Sequence, residues 1–257
     1  MNIDAIIAIA EEAGRSILAV YHQPSDEVQV EYKADDSPLT RADKAAHAVI
    51  VAGLTKFYPE IPQLSEEGEN IAYEVRKDWV QFWMIDPLDG TKEFVKRNGE
   101  FTVNIALIQN QMPVLGVVHI PVSGETYYAQ KEKGSFFKAK NGESTKIQAK
   151  TYSLHKPHAV IVSSRSHLSL ETAAFIAEFS EPELISMGSS LKFMLVAAGK
   201  AEVYPRFAPT MEWDTAAAQI IVEEANGHVY QAGTTEPMRY NKENLLNPHF
   251  LVTGSQA

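Results

Sequence analysis

Residues 84–94 read MIDPLDGTKEF. Two aspartates, Asp86 and Asp89, stand three apart behind an apolar run, and Lys92 and Glu93 follow almost at once. Phe82 to Ile85 predict a short buried strand, with Asp86 where that strand emerges. Pro87 cannot extend central pairing, and Gly90 permits backbone angles that other residues resist. Asp86 and Asp89 are thereby aimed at one spot, which is costly for two anions unless a cation neutralises them. The backbone N–H groups of Gly90 and Thr91 are then free to bind an anion beside it.

Two further acidic sites share this character. PQLSEEGE (62–69) places Glu66 and Glu67 after a short apolar segment, at the end of an expected strand. MEWDTAAAQ (211–219) places Asp214 at the start of a helix, where the helix dipole also favours phosphate. Taken singly, each has an ordinary explanation. Asp214 reads as a helix cap, Asp43 as the acid of a capping interaction, the Glu pair as a solvated loop and DPLDG as a turn. Taken together, carboxylates with no cysteine anywhere in the chain form a hard-oxygen donor set. Such a set suits Mg²⁺ or Mn²⁺ far better than zinc. Two ions ~3.5–4 Å apart would hold a phosphate and activate a water for in-line attack.

Outward from this stretch, the N-terminal half predicts two helices packed on an antiparallel sheet. Ile3, Ile6, Ile7, Ala10, Ile17, Leu18 and Tyr21 fall at helical spacing. Val28, Val30 and Tyr32 alternate as a strand does. A second helix starts at the expected N-cap Thr40, with Asp43 three residues on, and is stopped by Pro59. FTVNIALI, VLGVVHI and ETYYAQ are strands separated by turn signals. The polar segment KNGESTKIQAKTYSLHKP (140–157) marks a boundary, giving an N-terminal α+β domain (1–153) and a C-terminal α/β domain (154–257). In the latter, AVIVSS, ELISMG and AEVYPRF alternate with helices, Gly227 suits the last helix's C-terminal cap, and HVYQA and HFLVTG close the chain.

The chain has 257 residues, 45% hydrophobic and 22% charged, as soluble globular proteins do. With no cysteine, disulfides, thiolate nucleophiles and Cys-ligated zinc are excluded. The net charge of −10, with no basic stripe, argues against a nucleic-acid binder. An anionic substrate therefore needs metal ions or a few placed cations. The N-terminus reads as an amphipathic helix and not a signal peptide, so a cytoplasmic location is expected, with peripheral membrane association left open.

The Glu-Glu pair of SEEG, then DPLDGT, then WDTAAA, in that order, resembles the inositol monophosphatase family of Mg²⁺-dependent, lithium-sensitive phosphatases. Within it, DPLDGTKEFVKRNGEFTVNIALI, SRSH, GSSLKF and YPRF look like the 3'(2'),5'-bisphosphate nucleotidase branch. An inositol monophosphatase more usually carries Asn where this chain has Lys92–Glu93. The resemblance covers essentially the whole chain and implies a layered αβαβα sugar-phosphatase fold. It implies that Glu66, Asp86 and the carbonyl of Leu88 hold a first metal, and that Asp86, Asp89 and Asp214 hold a second. A third, weaker ion would sit near Glu66, and Mn²⁺ would be a substitute for Mg²⁺. Thr91, hydrogen-bonded to Asp43, would orient and deprotonate the attacking water. Gly90, Thr91, His167, Ser189, Lys192, Arg206 and Asp214 would contact substrate. The implied reaction converts adenosine 3',5'-bisphosphate to AMP and phosphate, with 3'-phosphoadenylyl sulfate as a second substrate. An inositol or sugar monophosphatase is the alternative, and a non-catalytic nucleotide-binding regulator is a more distant one. Monomer and homodimer both stay open. The pattern departs from the family in the loop after the Glu pair and in an extra acid, Glu212.

Overall fold

The computed structural model describes residues 1–24, 30–32, 38–153, 157–164 and 169–256. Val28, part of the first expected strand, and His167 lie outside them. The N-terminal half contains α1 (Ile3–Tyr21), β1 (Val30–Tyr32), β2 (Pro38–Thr40), α2 (Arg41–Phe57), β3 (Gln63–Ser65), α3 (Tyr73–Arg76), β4 (Gln81–Asp89) and α4 (Thr91–Val95). Then come β5 (Thr102–Gln109), β6 (Met112–Ile120), β7 (Glu125–Gln130), β8 (Gly134–Lys138), β9 (Ser144–Lys146) and β10 (Thr151–Tyr152). The remainder contains β11 (Val160–Ser164), α5 (Leu170–Ile176), β12 (Glu183–Met187), α6 (Leu191–Ala197), β13 (Val203–Arg206), α7 (Glu212–Glu224), β14 (His228–Gln231), β15 (Phe250–Thr253) and β16 (Ser255–Gln256).

Strands β3 to β9 form a seven-stranded sheet in sequence order. It is antiparallel except at one edge, where β3 runs parallel to β4, a pairing the sequence reading did not foresee. The period-two alternation of its strands decides what covers each face. Trp83, Ile85, Val103, Ile105 and Leu107 face α1 and α2 in one core. Phe82, Met84, Ala106 and Ile108 face α6 and α7 in another. That second core continues into a five-stranded sheet, β12-β11-β13-β15-β14, through Val162, Tyr204 and Val252. The opposite face of this sheet, with Ile161 and Val203, is covered by Ile176 of α5. The layers are therefore α1/α2, large sheet, α6/α7, small sheet and α5, the αβαβα order the motifs imply.

Helix α7 is the joint of this stack, because its residues 216–218 and 220–222 are buried against strands of both sheets. Gly116 lets it approach: a Cβ there would lie 2.3 Å from the carbonyl oxygen of Ala217. The end of α7 corrects one expectation. The left-handed residue that closes it is Asn226, with φ of 64°, whereas Gly227 has ordinary backbone and donates its N–H to Val222 O. Asparagine supports that conformation through its short polar side chain. No described helix is long and apolar enough to cross a membrane.

Candidate active site

Strand β4 brings the acids to the helical layer. Phe82 and Met84 point to the α6/α7 side, and alternation sends Asp86 the same way, only 1% exposed. The strand does not end at Asp86, as the sequence suggested. It runs on to Asp89, and a register irregularity between Asp86 and Asp89 absorbs Pro87 and Leu88. Bulges of this kind bend a strand and re-aim its side chains. Asp86 Oδ1 accepts the Leu88 N–H at 3.0 Å, closing the bend on itself. Gly90 then takes φ of +96°, where a side chain would also sit 2.9 Å from Glu100 O.

Glu66 follows β3 and is fixed by its N–H on Ile85 O at 3.1 Å, one strand over from Asp86. Asp214 occupies the first turn of α7, where its Oδ2 accepts the Met211 N–H at 2.8 Å. With Leu88, Asp89, Gly90 and Thr91, these acids line a cleft of about 250 Å³. Burial pushes the Asp86 carboxyl well above its ordinary range, and Glu66, Asp89 and Asp214 add to the push. Asp214 is raised well above for the same reason, with Asp89 its largest charged neighbour. Asp89 is also raised by burial, an effect that Lys192 opposes. Among the described residues no three His, Asp or Glu side chains are drawn together into a metal-holding group. The acids instead share one cleft, near enough to repel one another. The all-oxygen donor set and this mutual repulsion both fit a hard divalent cation.

At the cleft's edge, Thr91 Oγ1 donates towards Asp43 Oδ1 at 3.2 Å, with Leu88 O at 3.3 Å as its other acceptor. Asp43 does double duty. Its Oδ2 accepts the Thr40 N–H at 2.7 Å and the Thr40 hydroxyl at 2.6 Å, completing the capping box of α2. The helix cap fixes one carboxylate oxygen and turns the other to Thr91. Burial raises the Asp43 carboxyl, and the Thr40 donors lower it in part.

A second pocket, of about 140 Å³, shares Asp89, Gly90, Lys92, Glu93 and Asp214 with the first. Its far wall is Ser189, Lys192, Tyr204 and Arg206. Ser189 has φ of +45°, and its hydroxyl is buried with no hydrogen-bond partner. The Arg206 Nε is likewise buried and unpartnered, while its Nη2 donates to Pro209 O at 3.0 Å. Lys192 is 7% exposed, and its Nζ donates to Ser189 O at 2.5 Å and Met187 O at 3.4 Å. Burial lowers its ammonium to about 8, against the pull of Asp89.

Glu212, the extra acid, lines neither pocket. It is fully buried and accepts the N–H groups of Asn241 and Lys242 at 2.6 and 3.0 Å, plus Lys242 Nζ at 2.5 Å. It anchors the 241–242 segment to α7. The sequence reading missed Thr102, Asn104 and Ser190, all buried in a group bonded to Asp89, the acid both pockets share. The signal was present in FTVNIALI: two polar residues on the face that Ala106 and Ile108 give to the core.

The inositol monophosphatase family model matches residues 2–254. The 3'(2'),5'-bisphosphate nucleotidase CysQ of Salmonella typhimurium is 46% identical over 98% of this chain and 99% of its own. That of Escherichia coli K12 is 45% identical over the same shares. The crystal structure of CysQ from Bacteroides thetaiotaomicron, a bacterial member of the inositol monophosphatase family, superposes with a TM-score of 0.87. It is 46% identical and covers 100% of this chain and 99% of that one. An IMPase of Thermotoga maritima, 27% identical, gives 0.77 over 98% of this chain and 91% of its own. With cleft, layers and sequence in agreement over its full length, this chain belongs to the inositol monophosphatase family.

Proposed function

We propose that this chain is a 3'(2'),5'-bisphosphate nucleotidase, a metal-dependent phosphatase that removes the 3'-phosphate of adenosine 3',5'-bisphosphate to give AMP and phosphate. The observation that carries the reading is the pair of pockets with a common wall. One is acidic, and the other holds two buried, unpartnered polar atoms, Arg206 Nε and Ser189 Oγ. A substrate with two phosphates needs two such places. The near-full-length identity to proteins named for this activity points the same way.

In this reading residues 1–153 carry most of the metal ligands, and 154–257 carry Asp214 and the nucleotide side. Glu66, Asp86 and the Leu88 carbonyl hold one Mg²⁺, and Asp86, Asp89 and Asp214 hold a second. Ions held there would neutralise the phosphate and lower the pKa of the attacking water. Thr91 Oγ1 receives that water's proton as its own passes to Asp43 Oδ1, the oxygen the helix cap leaves available. The N–H groups of Gly90 and Thr91 hold the phosphate undergoing attack. The guanidinium of Arg206 receives the retained 5'-phosphate, a planar donor group matched to that shape. Ser189 meets the nucleoside. We place the enzyme in the cytoplasm, with 3'-phosphoadenylyl sulfate as a second substrate by the same cleavage.

Phosphate release decides the matter when measured on adenosine 3',5'-bisphosphate and inositol 1-phosphate, each with and without Mg²⁺. Preference for the nucleotide with strict metal dependence is expected. Preference for inositol 1-phosphate would make the chain an inositol monophosphatase, and no turnover on either would leave a nucleotide-binding regulator.

A further inference from the structure

We infer that Asn104 is a positioning residue for Asp89, and that a chain of buried hydrogen bonds through Ser190 and Thr102 ties the nucleotide-side turn to that carboxylate. The inference rests on the acidic cleft being a divalent-cation site.

Strand β5 alternates, so Thr102 and Asn104 face the helical layer beside Ala106 and Ile108, one strand away from Asp89 and Asp86. An apolar residue at 104 would simply extend the core. Asn104 is instead 1% exposed and meets two partners. Its Nδ2 lies 3.4 Å from Asp89 Oδ2, and its Oδ1 lies 3.0 Å from Ser190 Oγ. The direction of every bond follows. A carboxylate only accepts, so the amide nitrogen must face Asp89 and the amide oxygen must face Ser190. Ser190 has one hydroxyl hydrogen and spends it on Asn104 Oδ1. Thr102 Oγ1, 2.8 Å from Ser190 Oγ, must then be a donor.

Ser190 also donates its backbone N–H to the same Asp89 Oδ2, at 2.6 Å. Two donors from different elements therefore hold one oxygen of Asp89, leaving Oδ1 for the cleft. The turn that supplies Ser190 is itself clamped. Gly188 N–H donates to Glu100 Oε2 at 2.8 Å, and Lys192 Nζ caps Ser189 O. Ser189 keeps its left-handed backbone between these ties. Since Thr102, Asn104 and Ser190 are all at most 1% exposed, water cannot replace a lost partner. The turn beside the nucleotide pocket thus sets the orientation of a carboxylate in the acidic one.

Mn²⁺ titration of the nucleotide-free protein, followed by the free ion's paramagnetic resonance signal, tests this. Asn104→Leu keeps the shape and heavy-atom count but loses both bonds, and its Mn²⁺ affinity is expected to fall about 10–100-fold. Ser190→Ala keeps the N–H to Asp89 and releases the Asn104 amide oxygen and the Thr102 hydroxyl, so a smaller loss, roughly threefold or more, is expected. Thr126→Val is the structural control. It breaks a similarly buried bond, to His119 at 2.9 Å on the opposite face of the sheet against α1, and should leave Mn²⁺ affinity unchanged. Wild-type affinity in Asn104→Leu and Ser190→Ala would overturn the inference, as would an equal loss in Thr126→Val. If Asn104→Leu does not fold, Ser190→Ala decides alone. The titration uses no nucleotide, so a wild-type protein without phosphatase activity would sink the functional reading and leave this test standing.

Discussion

The acidic and the nucleotide sides of the site are built in opposite ways. Glu66, Asp86 and Asp89 come from two neighbouring strands of the large sheet, within a short run of chain, and their positions follow from strand alternation and one bulge. Ser189, Lys192 and Arg206 come from a turn, a helix and the end of the small sheet's central strand, and they meet only because α6 and α7 hold the two sheets together. The first side is a set of like charges that the backbone forces into one place. The second is a set of donors held apart by the backbone, some spent on protein carbonyls and some left without partners. The acidic side should therefore fail completely when one member is lost, and the nucleotide side should fail by degrees.

The largest effect is expected from Asp89→Asn, which removes one anion from the cleft. Phosphate release should disappear, while far-UV circular dichroism stays native and the melting temperature holds or rises, because burial makes this carboxylate costly. Near-wild-type turnover in saturating Mg²⁺ would break the assignment of the acidic side.

Thr91→Ala comes next. It removes the hydroxyl that stands against Asp43 and should lower kcat about 10²–10⁴-fold with little change in KM. A change confined to KM would make Thr91 a binding residue. Asp43→Ala should lose the same activity and also about 1 kcal/mol of stability, since it carries the α2 capping box.

On the nucleotide side the two cations should separate. Arg206→Ala, losing an unpartnered donor, should harm hydrolysis of the bisphosphate more than that of a simple monophosphate. Lys192→Ala should harm both, because its ammonium is engaged by the carbonyls of the turn that holds Asp89. Equal behaviour of the two variants in a comparison of kcat/KM on both substrates would erase the distinction.

The smallest effect lies outside the site. Burial raises Glu223 to about 7, with the Gln219 amide bonded to it at 2.8 Å. An acid with a raised folded-state pKa binds its proton more tightly when folded. Its contribution is complete below the unfolded value of 4.5 and lost as pH rises through about 7. Glu223→Gln, neutral at every pH, should therefore melt roughly 2–4 °C above wild type at pH 8, with the gap closing towards pH 4.5. A constant gap across that range would mean that Glu223 does not titrate there.

Local signals read well wherever one segment carries both the pattern and its consequence. The capping box of Thr40 and Asp43, the turn at Gly90 and the alternation of β5 and β6 are all of this kind. They read poorly where the consequence depends on a distant partner. Nothing near Glu212 in the sequence announces Asn241 and Lys242, the partners it holds. Lys192, expected to contact substrate, also caps the carbonyl of its own turn, a tie its residue type does not announce.

By itself the sequence determined an antiparallel sheet with two helices followed by an alternating α/β half, because period-two strands and capping residues constrain the backbone within a few residues. Its resemblance to a known family implied the αβαβα class and the acids of the cleft. Only the tertiary structure decided that Asp86 sits inside a bulged strand and that Asn104 and Ser190 grip Asp89. Each of these depends on a hydrogen bond between residues far apart in the chain, and its geometry exists only once both sheets have packed against α7.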